Sequence, residues 1–440
     1  MWVSPASLVE SWAVVSRRPK TQATLRAFQS ARLRQLVRHA YASVRYYRRL
    51  FDEVGLKPDD IQGVEDLPKI PLSSRDDLQF LPADQICARR VDPNSLLVRR
   101  TSGTSGAPLS IRRHRLEERL LQALRLRYVS EYGGNWRSHR AEIRHLSSRS
   151  DWDSVPERPF FYQRLGFFRR TVIPWNEPKE EIVDQLATAH TEILVGAPSI
   201  LSWRADELSD RDRERLSILY VITGGEMLSD EVRDRIEKGW GARVFDNYGS
   251  HEFVFIGNQQ PRGEGYRICG ESLIVEVLRD GRPALPGEEG ELVGTALHSF
   301  AMPFLRYRLG DLVRVGSDHD PGSIAVSSLQ KIHGRTMDRF FFSGGRVVHP
   351  SAIAKILRDE EPWLRRFQIT QPERDQLHIR VIPHEEPGPD RLKQVARKIE
   401  RRFEGSISVA LQLVKEMPPA AGGKFQLFLP YERLHRDASG

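Results

Sequence analysis

The chain has 440 residues, of which 39% are hydrophobic and 29% are charged. These proportions lie near the globular average and exclude a wholly disordered, collagenous or fibrous protein. Its 67 basic and 59 acidic residues give a net charge of +8, a surplus that suits anionic small molecules as well as nucleic acid. At about 150 residues per domain, the length predicts two to three domains.

Cysteine content and hydrophobic pattern indicate the compartment. Two cysteines, Cys87 and Cys269, are too few for a disulfide framework or a four-cysteine zinc site, and they indicate a reducing environment. The N-terminal apolar stretch contains Glu10 and is followed by its positive charges, the reverse order of a secretory signal. No run of about 18 apolar residues occurs, so we expect no membrane span and a cytoplasmic protein.

The N-terminal region is predicted to be helical. Residues 21–52 place apolar side chains at steps of three and four, which predicts an arginine-rich amphipathic helix. Packing of its apolar stripe on a larger domain, with solvated arginines, is a simpler explanation than phosphate binding. Pro58, Pro68 and Pro71 then predict a connecting segment.

From about residue 95, short β-rich runs alternate with helical stretches, which predicts an α/β body with parallel strand pairs. The predicted strands of this body include LLVRR, LSIRR, AEIRHL, EILVG, LSILYVIT and ARVFDNY, and its helices include 116–132, one near Ile200 and SDEVRDRIEKGWG. After Gly270, runs such as LIVEVL, GELVGTAL and DLVRV are separated by Gly/Pro turns. This change predicts a second, antiparallel subdomain.

The last hundred residues predict a small α+β unit, with strands at 367–370, 377–382 and 407–414 and a helix at 390–404. The predicted domains are therefore a helical arm and linker that is part of the large domain (1–94), a core (95–336) and a mobile C-terminal cap (337–440). The fold class is α/β with α+β parts: a large N-terminal domain of α/β and β-rich subdomains, and a small C-terminal domain.

A Ser/Gly/Thr loop, TSGTSGAP at residues 101–108, lies between two predicted strands. Its glycines let backbone amides turn toward one point, and its four hydroxyls add donors, so it can cradle a phosphate chain. It lacks the GK[ST] ending of a Walker loop and contains no lysine. Taken alone, such a string is more often a flexible hairpin turn.

Two further segments follow predicted strands. In the first, TGGE at residues 223–226, the glycines leave room for a flat ring. In the second, DNYGSHE at residues 246–252, Tyr248 can stack on that ring, Asp246 or Asn247 can accept from amino groups, and Glu252 can hold a divalent cation. The alternative is a pair of turns with a core tyrosine and a solvated glutamate.

Three later segments carry charge on turns. In RYRLGD, Asp311 can accept both hydroxyls of a ribose and an arginine can bridge phosphate oxygens, although a surface ion pair is the simpler explanation. Gly334-Arg335 precedes the predicted domain boundary. Lys424, the last lysine, follows a Gly-Gly turn, where a lysine is usually just exposed.

The order of these motifs is more specific than any one of them. TSGTSGAP, TGGE, DNYGSHE, RYRLGD, GR, SGG and GGK resemble the signature set of the AMP-forming adenylating superfamily. LVRHAYASVRYYRRLFDEVGL and DLPKIPLSSRDDL near the N-terminus make the chain similar, more narrowly, to the phenylacetate-CoA ligase family. The resemblance covers nearly the whole chain.

The resemblance implies an AMP-forming acid–thiol ligase that uses ATP, Mg²⁺ and coenzyme A. By resemblance, the catalytic residues are Lys424, Glu252, His251 and Arg335, with Glu252 as the metal ligand. The implied cofactor-binding residues are Thr101, Ser102, Gly103, Thr104, Ser105 and Gly106 for the β- and γ-phosphates; Gly224, Gly225, Glu226, Asp246, Asn247, Tyr248, Gly249 and Ser250 around the adenine; Asp311 for the ribose, with Arg308 and Arg335; and Gly344 and Gly345 for a pantetheine tunnel. Lys424 is implied to reach the carboxylate and the α-phosphate during adenylation.

The acid pocket is less defined by sequence. Its expected walls are Tyr132, Ala197, Pro198, Thr223, Phe253 and Phe255. Aromatic side chains there favour a flat or aryl acid, although the same residues can belong to the core.

Four features depart from the family pattern. One is the segment before the GR motif, where many relatives carry a cysteine pair and this chain has GSDHDPGSIAVSSLQKIHGR, and the other three are single positions. Ala107 replaces a lysine of the phosphate loop, His251 a threonine, and Met337 the aspartate or lysine of the domain hinge. Two alternatives therefore stay open: an acyl-adenylate-forming amide synthetase or carrier-protein-loading ligase, and a nucleotide-binding protein without turnover. The acceptor is accordingly CoA, an amine or a carrier protein. The oligomeric state stays open, with a homodimer as one option, and no nucleic-acid partner is expected because basic and acidic residues are interspersed.

Overall fold

The computed structural model describes residues 19–100, 109–144, 166, 169–259, 265–335, 340–343, 347–348, 353, 356–357, 363–383, 385–403, 405–417 and 428–431. Contacts divide the described chain into two compact units, with the division between Ile332 and His333. It falls near the predicted boundary at residue 336; the predicted three-part division and the motion of the cap stay predictions.

The helices of the first unit are α1 (Gln22–Ser43), α2 (Arg45–Glu53), α3 (Arg75–Leu78), α4 (Ala83–Ile86), α5 (Arg115–Val129), α6 (Lys179–Thr188), α7 (Pro198–Glu207), α8 (Asp210–Glu214) and α9 (Asp230–Trp240), with 3₁₀ turns at Pro58–Asp60, Val64–Lys69, Pro93–Ser95 and Ser130–Tyr132. Its strands are β1 (Leu97–Arg100), β2 (Ser110–Arg113), β3 (Arg140–Arg144), β4 (Arg170–Pro174), β5 (Ile193–Gly196), β6 (Tyr220–Gly224), β7 (Arg243–Tyr248), β8 (Gly257–Gln259), β9 (Tyr266–Ile268), β10 (Leu273–Arg279), β11 (Arg282–Pro283), β12 (Glu289–Ala296), β13 (Tyr307–Val315) and β14 (Ser328–Arg335), whose last residues enter the second unit.

One long sheet organises the first unit. Its described strands follow the order β11-β10-β12-β13-β14-β9-β8-β7-β6-β5-β3-β4. The pairs β3–β4, β3–β5, β5–β6 and β6–β7 are parallel, as the alternating pattern predicted. β1 and β2 pair separately as an antiparallel hairpin around residues 101–108, which lie outside the described residues.

The antiparallel region after Gly270 differs from its prediction in one respect. β10, β12 and β13 pair antiparallel as expected, but they continue the same sheet instead of forming a separate one. The connection runs through β8 and β9, each three residues long. Such short strands carry too little alternation for a period-two pattern to reveal them.

The predicted helix over residues 21–52 is two helices. Val44 is extended, with φ −117° and ψ 117°, and separates α1 from α2. Buried side chains of both helices, including Leu36, Tyr47 and Phe51, join the core of the antiparallel region. Arg38 of α1 pairs with Asp59 of the predicted connecting segment at 3.0 Å, but both side chains are largely exposed, as expected for a solvated arginine.

A buried ion pair fixes that connecting segment to the sheet. Arg306 is 7% exposed, and its Nε and Nη2 donate to the two carboxylate oxygens of Glu276 at 3.0 and 2.9 Å. Its Nη1 also donates to the carbonyl oxygens of Ile70, at 2.8 Å, and Pro68, at 3.2 Å. The guanidinium thus provides a donor for the carbonyl of the buried Ile70.

The second unit contains β15 (Phe340–Phe341), β16 (Val347–Val348), β17 (Leu364–Glu373), β18 (Gln376–Pro383), α10 (Pro389–Arg402), β19 (Ser408–Leu413) and β20 (Phe428–Leu429). β17 and β18 pair antiparallel, and β18 and β19 pair parallel across the connecting helix α10. The three long strands and the helix agree with the predicted α+β unit. Among the described helices of the chain, none is long and apolar enough to cross a membrane.

His298 links α1 to the antiparallel region. Its Nδ1 lies 3.1 Å from Nη2 of Arg32, and its Nε2 lies 2.8 Å from the carbonyl oxygen of Glu271. Since a guanidinium only donates, Nδ1 accepts and Nε2 carries the proton, which is the neutral imidazole. Burial, followed by the charge of Arg32, lowers the pKa of His298 to about 4.

We predict that this histidine makes stability fall in mild acid. Its pKa rises from about 4 in the folded protein to 6.5 on unfolding, so the unfolded chain binds the extra proton and stability is lost as pH falls through this window. Between pH 7 and pH 5, wild type should lose about 2 kcal/mol more than His298→Gln, which can keep one donor and one acceptor. Urea unfolding at both pH values measures this difference, and equal losses would contradict it.

Candidate functional site

The polar segments singled out in the sequence meet at one edge of the large sheet. β5, β6 and β7 are adjacent and parallel, with Gly196 opposite Thr223 and Gly224 opposite Asn247. Their carboxyl ends therefore lie side by side, the position where open α/β sheets bind ligands. We call the residues that gather there the strand-end cluster: Gly224–Glu226, Tyr248–Glu252 and Asp311.

Two glycines allow close backbone approach in this cluster. A Cβ on Gly224 would lie 2.9 Å from the carbonyl oxygen of Asn247, and one on Gly249 would lie 2.3 Å from that of Val254. Gly225 has a φ of +81°, in the left-handed region that favours glycine. The path of the backbone therefore requires the glycines at positions 224, 225 and 249.

A hydrogen bond joins two of the sequence motifs. The hydroxyl of Tyr248 donates to Oδ2 of Asp311 at 2.5 Å, although the two residues are 63 positions apart. Tyr248 is 8% exposed, and its ring meets that of Tyr266 edge to face, with centroids 6.4 Å apart. The contact brings the residues predicted to bind adenine and ribose together.

Asp246 lies deeper in the sheet. It is 4% exposed and accepts from Thr223 Oγ1 at 2.7 Å and from the Tyr266 hydroxyl at 2.6 Å. Burial raises the pKa of Asp246, and these two hydrogen bonds act against that rise. Its carboxylate thus braces β6 and β7 to β9. The predicted contacts of Asp246 and Asn247 with the base stay predictions.

Glu226 is held at the start of α7. Its two carboxylate oxygens accept from the backbone N–H and the hydroxyl of Ser199, each at 3.0 Å. Ser199 lies in the first turn of that helix, where backbone N–H groups need acceptors and the helix dipole favours negative charge. This contact fixes the segment after β6 relative to the segment after β5.

Glu252 is a buried carboxylate, 7% exposed, at the end of the turn that follows β7. The hydroxyl of Tyr307 lies 3.5 Å from its Oε1. Among the described residues no group of three or more His, Cys, Asp or Glu side chains is arranged to hold a metal ion. A single carboxylate still fits Mg²⁺, which commonly takes one or two carboxylates and completes its shell with water and phosphate oxygens.

The backbone around Glu252 is held by Arg113, which sequence reasoning missed. Nη2 of Arg113 donates to the carbonyl oxygens of His251, at 2.5 Å, and Glu252, at 2.6 Å. Nη1 donates to Oε2 of Glu118 at 3.3 Å. The alternation of β2 places Ile111 and Arg113 on the same inward-facing side of the strand. An arginine at such a position, where an apolar residue is expected, is the sequence signal that was available.

The predicted walls of the acid pocket lie largely within packed regions. Tyr132 stacks on Phe245, with centroids 4.0 Å apart and ring planes 4° apart. Phe253 and Phe255 are each 2% exposed and belong to the core of the antiparallel region. Ala197 is the N-cap of α7 and Pro198 its first residue, and Thr223 is the penultimate residue of β6 and donates to Asp246. Their contact with an acid stays a prediction.

Other predicted residues lie at the margin of the site or outside the described part. Arg308 is half-exposed and donates to Glu291, with Nε 2.9 Å from Oε2. Arg335 ends β14, and the placement of its side chain is outside the described residues. The residues of the predicted site that are likewise not described are Thr101, Ser102, Gly103, Thr104, Ser105, Gly106, Gly344, Gly345 and Lys424. Ala107 and Met337 also fall in undescribed segments.

Several curated proteins with sequences similar to this chain are CoA ligases. The phenylacetate-coenzyme A ligase of Thermus thermophilus is 26% identical over 92% of this chain and 96% of its own length. Three further phenylacetate-coenzyme A ligases are 25% to 28% identical over 76% to 89% of this chain. The chain is related to the phenylacetate-coenzyme A ligases. The family resemblance predicted from the motifs is thereby confirmed.

Solved structures confirm the mixed fold class, with a large N-terminal and a small C-terminal domain. 2-Hydroxyisobutyryl-CoA ligase in its postadenylation state, in complex with R3-HIB-AMP, matches with a TM-score of 0.74 at 22% identity, over 95% of this chain and 92% of that chain. The O-succinylbenzoate coenzyme A synthetase of Bacillus subtilis, in complex with ATP and a magnesium ion, matches with a TM-score of 0.52 at 16% identity, over 75% and 68% of the two chains. Residues 340–429 match the family model of the CapK C-terminal domain.

We predict that Gly249→Ala displaces the turn that carries Glu252. The new Cβ would meet the backbone at Val254, which cannot move aside as a flexible side chain would. The substitution should cost about 1 to 3 kcal/mol of stability and speed amide exchange in residues 249–256. Gly322→Ala, whose nearest contact is 3.4 Å away, is the matched control. A change in Gly249→Ala no larger than in the control would refute the prediction.

Proposed function

We propose that this chain is an ATP- and Mg²⁺-dependent, AMP-forming ligase. It activates a small aryl carboxylic acid as the acyl-adenylate and transfers the acyl group to the thiol of coenzyme A. The observation that carries the proposal is the Tyr248–Asp311 hydrogen bond at the carboxyl ends of parallel strands, because it unites two distant motifs of the adenylating set. The related phenylacetate-coenzyme A ligases support the class of reaction.

The strand-end cluster suits a nucleoside. Gly224 and Gly225 present backbone without side chains, which leaves room for the adenine ring. Asp311 is half-buried and has one oxygen in the hydrogen bond to Tyr248. A carboxylate has about four acceptor positions, so it can take the two ribose hydroxyls as well as that tyrosine. The tyrosine thereby orients the carboxylate.

The first half-reaction must overcome charge repulsion. A substrate carboxylate attacks the α-phosphorus of ATP, and pyrophosphate leaves. Both reactants are anionic, so the site has to place positive charge and N–H donors where negative charge develops. Glu252 is the residue that would hold Mg²⁺, which when bound neutralises phosphate oxygens. The hydroxyls and amides of residues 101–106, and Lys424, are proposed to supply the remaining donors.

The second half-reaction needs an acceptor, and the thiol of coenzyme A is the one that the related ligases favour. An amine or a carrier-protein thiol would use the same acyl-adenylate. The pantetheine tunnel assigned to Gly344 and Gly345 belongs to this step. Arg335 and His251 are proposed to act near the reacting groups. An aryl acid is proposed because the related ligases are named for phenylacetate.

Acid-dependent exchange of labelled pyrophosphate into ATP tests the first half-reaction. The panel should contain aryl, amino-aryl and short aliphatic acids, and we expect the strongest exchange with an aryl acid. With that acid, coenzyme A should accelerate AMP release more than an amine does. Faster release with the amine would favour the amide synthetase, and ATP binding without exchange for any acid would favour a protein without turnover.

We predict that Lys424→Ala suppresses adenylation. Removing one charge-stabilising donor typically costs about 3 to 4 kcal/mol, or about 10²- to 10³-fold in rate. Lys415→Ala is the matched control, because Lys415 is an exposed lysine of the same unit. Pyrophosphate exchange measures the effect, and near-normal exchange by Lys424→Ala would remove this residue from the mechanism.

A further inference from the structure

The most unusual buried charge near the strand-end cluster is Arg113. Its side chain is 3% exposed and lies on an inward-facing position of β2, where an apolar residue is expected. Burying a guanidinium is costly unless charge and hydrogen bonds compensate. Burial lowers the pKa of Arg113, and Glu118, Glu117 and Glu252 act to raise it. The carboxylates therefore help to keep the charge inside the protein.

The contacts of this guanidinium converge on one turn. Nη2 donates to the carbonyl oxygens of two successive residues, His251 and Glu252. A bifurcated contact of this kind fixes the orientation of both peptide planes, and with them the direction in which residue 252 leaves the backbone. The Tyr307 hydroxyl lies 3.5 Å from Oε1 of Glu252, a long contact. Arg113 is thus the side chain that holds the backbone at Glu252.

The second terminal nitrogen of the Arg113 guanidinium contacts α5. Nη1 donates to Glu118, and Oε1 of Glu118 accepts from Gln122 one turn further along the helix. Arg113 also pairs with Leu97 in the register of the β1–β2 hairpin, which brackets the Ser/Gly/Thr segment. One side chain therefore connects the base of that hairpin to the turn that carries Glu252.

We infer that Arg113 is a positioning residue that sets the Glu252 carboxylate for Mg²⁺ in the Mg·ATP complex. The inference rests on the proposed function, which it deepens. Lysine cannot substitute, because one ammonium on a flexible stem does not reproduce the planar fork that reaches two carbonyls and Glu118 together. Residues that orient a metal ligand typically change metal affinity by about 10- to 100-fold when replaced.

Calorimetric titration of ATP into the full-length protein tests the inference without needing the acid. The quantity measured is the ratio of the ATP Kd in EDTA to the ATP Kd in MgCl₂. In wild type Mg²⁺ should tighten ATP binding, and Arg113→Lys should lower this ratio by about tenfold while leaving the Kd in EDTA nearly unchanged. A general loss of structure would weaken binding in both buffers.

Arg112→Lys is the matched control. Arg112 is on the same strand, its Nη1 donates to the nearby carbonyl oxygen of Ser110, and it should keep the wild-type ratio. Glu118→Gln is the second variant, for use if Arg113→Lys does not fold. This substitution weakens only the contact of Arg113 Nη1 and leaves those of Nη2 in place. It should therefore lower the ratio of the two Kd values by a smaller factor.

The outcomes separate the inference from the proposed function. A wild-type ratio in Arg113→Lys, or in Glu118→Gln where only that variant folds, overturns the positioning role and leaves the ligase proposal standing. Wild-type protein that binds ATP equally with and without Mg²⁺ also overturns the positioning role. Wild-type protein that does not bind ATP in either buffer overturns the proposed function and this inference together.

Discussion

The parallel pairing of β6 with β7 is the constraint on which the candidate site depends. It brings the segment after Gly224 and the segment after Tyr248 to the same edge of the sheet. Under the proposed function, each segment supplies only part of the surface around a base and a sugar. The antiparallel continuation of the sheet completes the cluster, since Asp311 on β13 meets Tyr248 there.

Two buried arginines hold connecting segments of the first unit in place. Arg306 binds Glu276 and two carbonyls of the connecting segment, and Arg113 binds Glu118 and two carbonyls of the turn at Glu252. In both cases a guanidinium donates to backbone carbonyls that lie outside the sheet. Part of the chain's positive surplus therefore shapes its loops, in addition to the cations proposed to act on phosphate.

Much of this architecture follows from the sequence because its signals are local. The alternation of β5, α7, β6, α9 and β7 is regular enough to predict parallel strands, and glycine-rich ends mark where they stop. The sequence pattern did not predict three features that depend on contacts between distant parts of the chain. Val44 splits the first helix, the three-residue strands β8 and β9 merge two sheets into one, and Arg113 occupies an apolar register position. Family motifs predicted Tyr248 and Asp311 as partners of one ligand, but only the fold shows that they touch.

A crystal structure of the protein with ATP and Mg²⁺ is the most direct test of the central claim. The account predicts that the adenine lies against Gly224–Glu226 and Tyr248, that the ribose hydroxyls donate to Asp311, and that Mg²⁺ lies at Glu252. A nucleotide bound at another edge of the sheet, with the strand-end cluster unchanged, would contradict it.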